Sequence, residues 1–293
     1  MSNEINVGDF ITTRAHLNPR KEALVDVHAD KRLTFAELNH RANRCVNALL
    51  ELGLQHGDRV ALLANNGHQF AECFFGPTKA GLVLMPLNWR LTAPELAYIL
   101  KDGGARALVF DAEFAPAVEE LRAMGAEGSA VEHWICIGDT PSGSCEDYET
   151  LLANASEVEP ADKAGADDNL FIMYTSGTTG HPKGVVHTHN TVLWTMLTFN
   201  VTADTHFDDR YLLMLPMFHV GALTPLIASI YNGTTIVLLR NFDPKQAWQL
   251  IEGERITTTL AVPAMLTFML QVPDYEKFDI STLRYVSSGA APV

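Results

Sequence analysis

The sequence predicts an α/β fold in which parallel sheets are flanked by helices in αβαβα layers. Three observations carry that prediction. Short apolar runs alternate with segments of helical periodicity along most of the chain, the pattern of βαβ units. The helical segments open on capping residues and close on glycine. Finally, 47% of the 293 residues are hydrophobic, which supports a sizeable core, and the length corresponds to about two compact units.

The elements follow in order. Thr34 and Glu37 have capping-box spacing, and Leu38, Ala42, Cys45 and Leu49 then recur at helical intervals until Gly53 and Gly57. Arg59 to Ala64 reads as a strand, residues 69–79 as a helix stopped by Gly81, and Leu82 to Leu87 as the next strand. Thr92 and Glu95 repeat the capping box, with Gly103 and Gly104 ending that helix. A strand at 107–110, a helix at 116–124 and a strand at 134–137 complete a first lobe. The polar stretch from Gly138 to Asp168 reads as a surface excursion. The apolar run Leu170 to Met173 is a buried strand end. Further strands are expected at 211–215, 234–239, 257–261 and 283–287, with helices at 220–231, 243–254 and 263–271 between them. In a parallel array the loops leaving the carboxyl ends of strands share one rim, where ligands bind. Pro216–His219, Asn241–Asp243, Val262–Pro263 and Ser288–Pro292 are assigned to that rim.

Composition removes several function classes. A net charge of −14 and a pI near 5.1 argue against a broad nucleic-acid or anionic-membrane surface, so an anionic ligand must be held by local donors. The first residues lack a signal peptide's basic start and apolar core, and no apolar run approaches the ~20 residues of a membrane span. Cys45, Cys73, Cys136 and Cys145 lack metal-type spacing and read as free thiols of a reducing cytoplasm. Without a basic amphipathic helix, membrane contact is at most peripheral. The sequence carries no reading of oligomeric state.

The segment Tyr174 to His189 is chemically the richest. Thr175, Ser176, Thr178 and Thr179 are packed among Gly177, Gly180 and Gly184, with Lys183 as the one cation. Glycines let backbone N–H groups approach an anion, and hydroxyls and Lys add donors, which suits a polyphosphate. Such clusters are usually polar surface loops, but this one follows a buried strand end. The NTPase loop pattern fails, because Pro182 stands where its second glycine belongs and Lys183 is followed by Gly184. No dinucleotide fingerprint occurs, and Tyr174 replaces the first glycine of a nucleophile elbow, so Ser176 reads as a donor. His181, His187 and His189 lack a carboxylate or Cys to complete a metal set, and no metal-ligating residue is assigned.

Ser176 to Gly184 resembles the phosphate loop of the adenylate-forming superfamily, which includes acyl-CoA synthetases, luciferases and peptide-synthetase adenylation domains. Residues 168–189 are most similar to bacterial long-chain fatty-acyl-CoA synthetases. Further matches lie in Leu33–Leu38, Gly57–Val60, Asn88–Leu91, Pro216–His219 and Ser288–Pro292. The resemblance implies one AMP-binding N-terminal domain over 1–293, with a first lobe to about 168 and a phosphate-loop and acyl/adenine lobe from about 169. It implies ATP, Mg2+ and coenzyme A as cofactor and cosubstrates, and a carboxylic, preferentially fatty, acid. The acid joins AMP with loss of pyrophosphate, then passes to the thiol of coenzyme A. An acid with a pKa near ~4.3 is already ionised at neutral pH, so the first step needs positioning and charge compensation and no general base.

Residue by residue, the resemblance assigns Thr175, Ser176, Gly177, Thr178, Thr179, Gly180, Lys183 and Gly184 to the phosphates. It assigns Gly289, Ala290, Ala291 and Pro292 to the adenine, and His219 to the acyl and coenzyme-A channel. By itself His219 reads as a half-buried helix-capping His, and the Gly-Ala-Ala-Pro run as an ordinary turn. Trp194, Met196, Met214, Met217, Met265, Phe268 and Met269 either border an acyl tunnel or pack the core. The family's Thr-Glu motif, ribose-binding Asp and C-terminal Lys do not occur within the 293 residues, which therefore read as a truncated fragment without full activity. Two alternatives stay open: an aryl-acid (cinnamate- or benzoate-type) CoA ligase, and a non-catalytic nucleotide-binding module.

Overall fold

Two sheets organise the chain in the computed structural model, which describes residues 5–125, 129–139, 145–175 and 181–289. The elements begin with α1 (Asp9–Leu17), the strands β1 (Glu22–Asp26) and β2 (Lys31–Thr34), and α2 (Phe35–Glu51). Next come β3 (Arg59–Leu63), α3 (His68–Lys79), β4 (Val83–Pro86), α4 (Ala93–Gly103), β5 (Ala105–Asp111), α5 (Ala115–Ala123) and β6 (His133–Ile137). The excursion contributes β7 (Glu146–Asp147) and α6 (Tyr148–Asn154), followed by β8 (Asn169–Thr175), β9 (Lys183–Thr188) and α7 (His189–Thr202). The chain continues through β10 (Arg210–Leu213), α8 (Val220–Asn232), β11 (Thr235–Leu238), α9 (Pro244–Gly253), β12 (Thr258–Ala261), α10 (Pro263–Leu270) and β13 (Tyr285–Ser288). Among the described residues no helix is long and apolar enough to cross a membrane.

These elements group into two compact units. The first comprises Met1–Asp9, Asn39–Asn65 and Gln69–Leu193. Its seven-stranded sheet has the order β7-β6-β5-β3-β4-β8-β9, with every pair parallel except β8–β9. The core is built from alternate strand positions and helix faces: Ala61, Leu63, Met85, Leu96, Leu100, Leu108, Phe110 and Leu121 are all buried together. Several segments that carry the family resemblance are structural here. Arg59 donates to the carbonyls of Gly103 and Gly57, tying β3 to the end of α4. Asn88 closes a turn by accepting from Arg90 N, and Arg90 lies over the Trp89 ring.

The second unit comprises Phe10–Leu38, Asn66–His68 and Trp194–Val293, with the strand order β13-β12-β10-β11-β1-β2. Its strands are parallel apart from the β1–β2 hairpin. Leu212, Met214, Val237, Leu239, Ile251 and Met269 form its core with Trp248, whose indole N–H donates to the carbonyl of Met269. At the amino ends of its strands, Arg210 bridges Glu22 and Glu254.

Periodicity located the helices α2 to α5 and α8 to α10 and most strands, but four readings change. Two hairpins, β1–β2 and β8–β9, add antiparallel pairs to the expected parallel sheets through β1, β2 and β9, strands that the sequence pattern does not mark. The polar excursion is partly structured: β7 pairs with β6, and Tyr148 and Leu152 of α6 are buried. The strand β9 and the uncharged helix α7 follow directly on the glycine-rich loop, where neither was read. The compact units also differ from the expected lobes, because β8 and β9 belong to the first sheet while β1 and β2 belong to the second.

Candidate functional site

In the first unit the glycine- and hydroxyl-rich segment begins at the end of β8 and runs into β9. Thr175 pairs with Lys183 and Tyr174 with Gly184. Ser176, Gly177, Thr178, Thr179 and Gly180 lie outside the described residues. At its base Thr175, Lys183 and Gly184 are exposed, and Lys183 makes no ion pair among the described residues. The hairpin leads from strand to strand, unlike loops that lead from a strand into a helix.

The base is held stiffly. Tyr174 donates from its hydroxyl to Asp102 Oδ2 at 2.6 Å, and burial together with that carboxylate raises its pKa. Two glycines make room for this ring. A Cβ on Gly184 would sit 2.9 Å from Ile172 Cγ2 and 3.1 Å from Tyr174 Cζ, and one on Gly103 would sit 3.2 Å from the Tyr174 hydroxyl. His181 stacks on Tyr98 with centroids 5.0 Å apart.

The other two histidines of the segment have packing roles. His187 stacks on Phe171 at 4.4 Å, and burial lowers its pKa. His189 is fully buried; its Nδ1 accepts from Val7 N at 2.9 Å, and its Nε2 has no partner. Burial lowers the His189 pKa to about 4 against the opposing pull of Asp168. Among the described residues no group of three or more His, Cys, Asp or Glu is placed to hold a metal ion.

In the second unit the carboxyl ends of β10, β11 and β12 run into segments 214–219, 239–243 and 262–263, and β13 runs into Gly289. All four expected segments therefore leave the same edge of one parallel array. His219 is the N-cap residue of α8 through its backbone: its carbonyl accepts from Ala222 N and Leu223 N. Its side chain makes no cap bond and is exposed, with the ring 4.5 Å from that of Phe218, so the half-buried capping reading does not hold. No described atom lies within 4 Å of a Cβ built on Gly289. Ala290, Ala291 and Pro292 lie outside the described residues. Met196, Met214, Met217 and Met269 are buried, whereas Trp194 and Phe268 are 65% and 54% exposed.

Sequence reasoning missed Asn66, which holds this rim together. Its amide nitrogen donates to the carbonyls of Leu215 and Leu239 at 2.9 and 3.0 Å, and its Oδ1 accepts from Met217 N at 2.8 Å. One buried side chain thus joins the exits of β10 and β11 and sets the loop that carries His219. The only available signal, Asn65-Asn66 after a strand, also describes an ordinary turn.

The AMP-binding enzyme family matches residues 11–293. Over 288 residues the chain is 43% identical to the long-chain-fatty-acid–CoA ligase FadD13 of Mycobacterium tuberculosis, covering 98% of this chain and 56% of that protein. It is 35% identical over 289 residues to a feruloyl-CoA synthase of an Amycolatopsis species, covering 98% and 55%. Among solved structures, the inhibitor-bound N-terminal domain of FACL13 from Mycobacterium tuberculosis superposes with a TM-score of 0.93 at 43% identity. That match covers 100% of this chain and 71% of the other. The chain thus spans about half the length of the curated relatives it matches.

Proposed function

The chain belongs to the AMP-binding enzyme family, and on that premise we propose that it is the ATP-gripping part of an acyl-CoA ligase. The observation that carries this reading is the base of the β8–β9 hairpin, where Thr175 and Lys183 pair and are exposed at the ends of the hydroxyl- and glycine-rich stretch. Lys183, the hydroxyls and turn N–H groups would compensate charge on the β- and γ-phosphates as pyrophosphate leaves. Mg2+, when bound, would neutralise those phosphates further. Small residues from Gly289 to Pro292 would lie along the adenine, and His219 would line the path of acyl group and thiol.

A fatty acid is the preferred substrate, supported by the similarity to FadD13. An aryl acid is the second reading, favoured by the similarity to a feruloyl-CoA synthase. Titrating ATP and AMP into the protein by calorimetry tests the nucleotide site. Binding is expected for the wild type, and Lys183→Ala is expected to weaken ATP more than AMP, because AMP lacks the phosphates that Lys183 would meet. Equal loss for both nucleotides would place Lys183 elsewhere. Absence of any nucleotide binding would remove the reading for these residues.

A further inference from the structure

A second cluster of reactive side chains lies in the second unit, at the carboxyl end of β1. Asp26, the last residue of β1, is buried and accepts at Oδ2 from both the backbone N (2.9 Å) and the ring Nδ1 (2.8 Å) of His68. Its Oδ1 accepts from Ala29 N at 3.1 Å. Burial would raise the Asp26 pKa, but these bonds outweigh it, so Asp26 is held below its ordinary range and is a carboxylate at neutral pH. A carboxylate only accepts, so the proton of the neutral ring sits on Nδ1 and the lone pair is on Nε2. The lysine Lys31 meets that lone pair: its Nζ lies 3.2 Å from His68 Nε2. Lys31 is half-exposed, at the start of β2, the edge strand of its sheet, while His68 is buried.

The order carboxylate, imidazole, nucleophile is the arrangement that activates a weak nucleophile: a buried acid orients the base, and the base takes the nucleophile's proton. We propose that Lys31 is an acyl-accepting site, activated by His68 and Asp26, for mixed carboxylic–phosphoric anhydrides such as acyl phosphates and acyl adenylates. The Lys31 ammonium passes one proton to His68 Nε2, and the freed amine attacks the carbonyl carbon of the donor. A C–N bond forms as the carbonyl C–O bond to phosphorus-bound oxygen breaks, and the phosphate leaves with the electron pair. With acetyl phosphate the balance is lysine ammonium plus acetyl phosphate giving the acetamide, hydrogen phosphate and one proton, which His68 releases to water. No oxidant, reductant or metal is needed. The site does not depend on the ligase reading, because the donor is supplied from outside.

The test incubates the protein with acetyl phosphate at pH 7 and follows acetylation of each lysine by peptide mass spectrometry. Lys101 and Lys245, both exposed, serve as references in the same sample. Lys31 is expected to react about tenfold faster than either, a modest share of what a positioned base contributes. His68→Gln, which keeps a polar side chain but no base, is expected to bring Lys31 to the rate of the references and leave those rates unchanged. Asp26→Asn is expected to fall between. A Lys31 rate at or below the references in the wild type would overturn the proposal, and this holds even if a variant does not fold. An undiminished ratio in folded His68→Gln would overturn it equally, leaving the contact as a structural hydrogen bond.

Discussion

Burial changes the chemistry of single residues here, and two of them show how. Lys79 is fully buried at the end of α3, where its ammonium donates to Asn39 and Asn43 at 2.6 Å and to Glu159 at 3.0 Å. Lost hydration lowers its pKa to about 8 despite Glu159, while the bonds from Asn39, Lys79 and Asn43 outweigh burial at Glu159 and bring that carboxyl to about 2. The pair anchors the polar excursion, which explains why a stretch rich in Pro and Gly is ordered there. Among the described residues His189 makes no ion pair, and its folded pKa of about 4 lies below the ordinary 6.5. Between those values the unfolded chain binds more protons than the folded one. Stability is therefore complete above pH 6.5 and falls as the pH drops towards 4, by at most about 3 kcal/mol. Urea unfolding at pH 7 and pH 4.5 checks this: the wild type should lose more stability on acidification than His189→Asn, which cannot titrate. Equal losses would assign the acid sensitivity to other groups. No sequence pattern announced either residue, because burial of a lone Lys or His depends on distant segments closing over it.

At the scale of elements, the hairpin β8–β9 is set by close packing. Tyr174 lies across from Gly184, and a side chain at 184 would collide with Ile172 and the ring. Gly184→Val is expected to destabilise the protein by about 1–3 kcal/mol, as overpacking does. Gly253→Ala, at the end of α9 with open space at its Cβ, is expected to be neutral or slightly stabilising. Comparing the two by urea unfolding separates a packing glycine from an incidental one; similar effects would remove the packing argument. Helices with an amphipathic face and caps were legible. At α2, Glu37 Oε2 accepts from Thr34 N and Oγ1, and at α4, Glu95 does the same for Thr92. The helix α7 was not legible: it contains no charged residue, so its polar and apolar faces are hard to tell apart, and Thr198 and Thr202 turn their hydroxyls back onto its own carbonyls. The strands β1 and β2 are short and end in a four-residue turn, too brief for alternation to show.

For the whole molecule, a net charge of −14 disfavours polyanions, so a field that admits an anionic ligand must be local. The 293 residues span 56% of FadD13. ATP–pyrophosphate exchange by these residues alone is expected to stay at background, while a chain of the relatives' full length exchanges. Equal rates in the two would show that the span already holds a complete catalytic set. By itself the sequence determined the α/β class, the order of most elements and the family, because each rests on local periodicity or on residues adjacent in the chain. Only the tertiary structure decided the antiparallel hairpins, the role of Asn66 at the rim, the burial of Lys79 and His189, and the meeting of Lys31, His68 and Asp26. Those depend on which strands pair and on which side chains lose their water, quantities set by contacts between residues far apart in sequence.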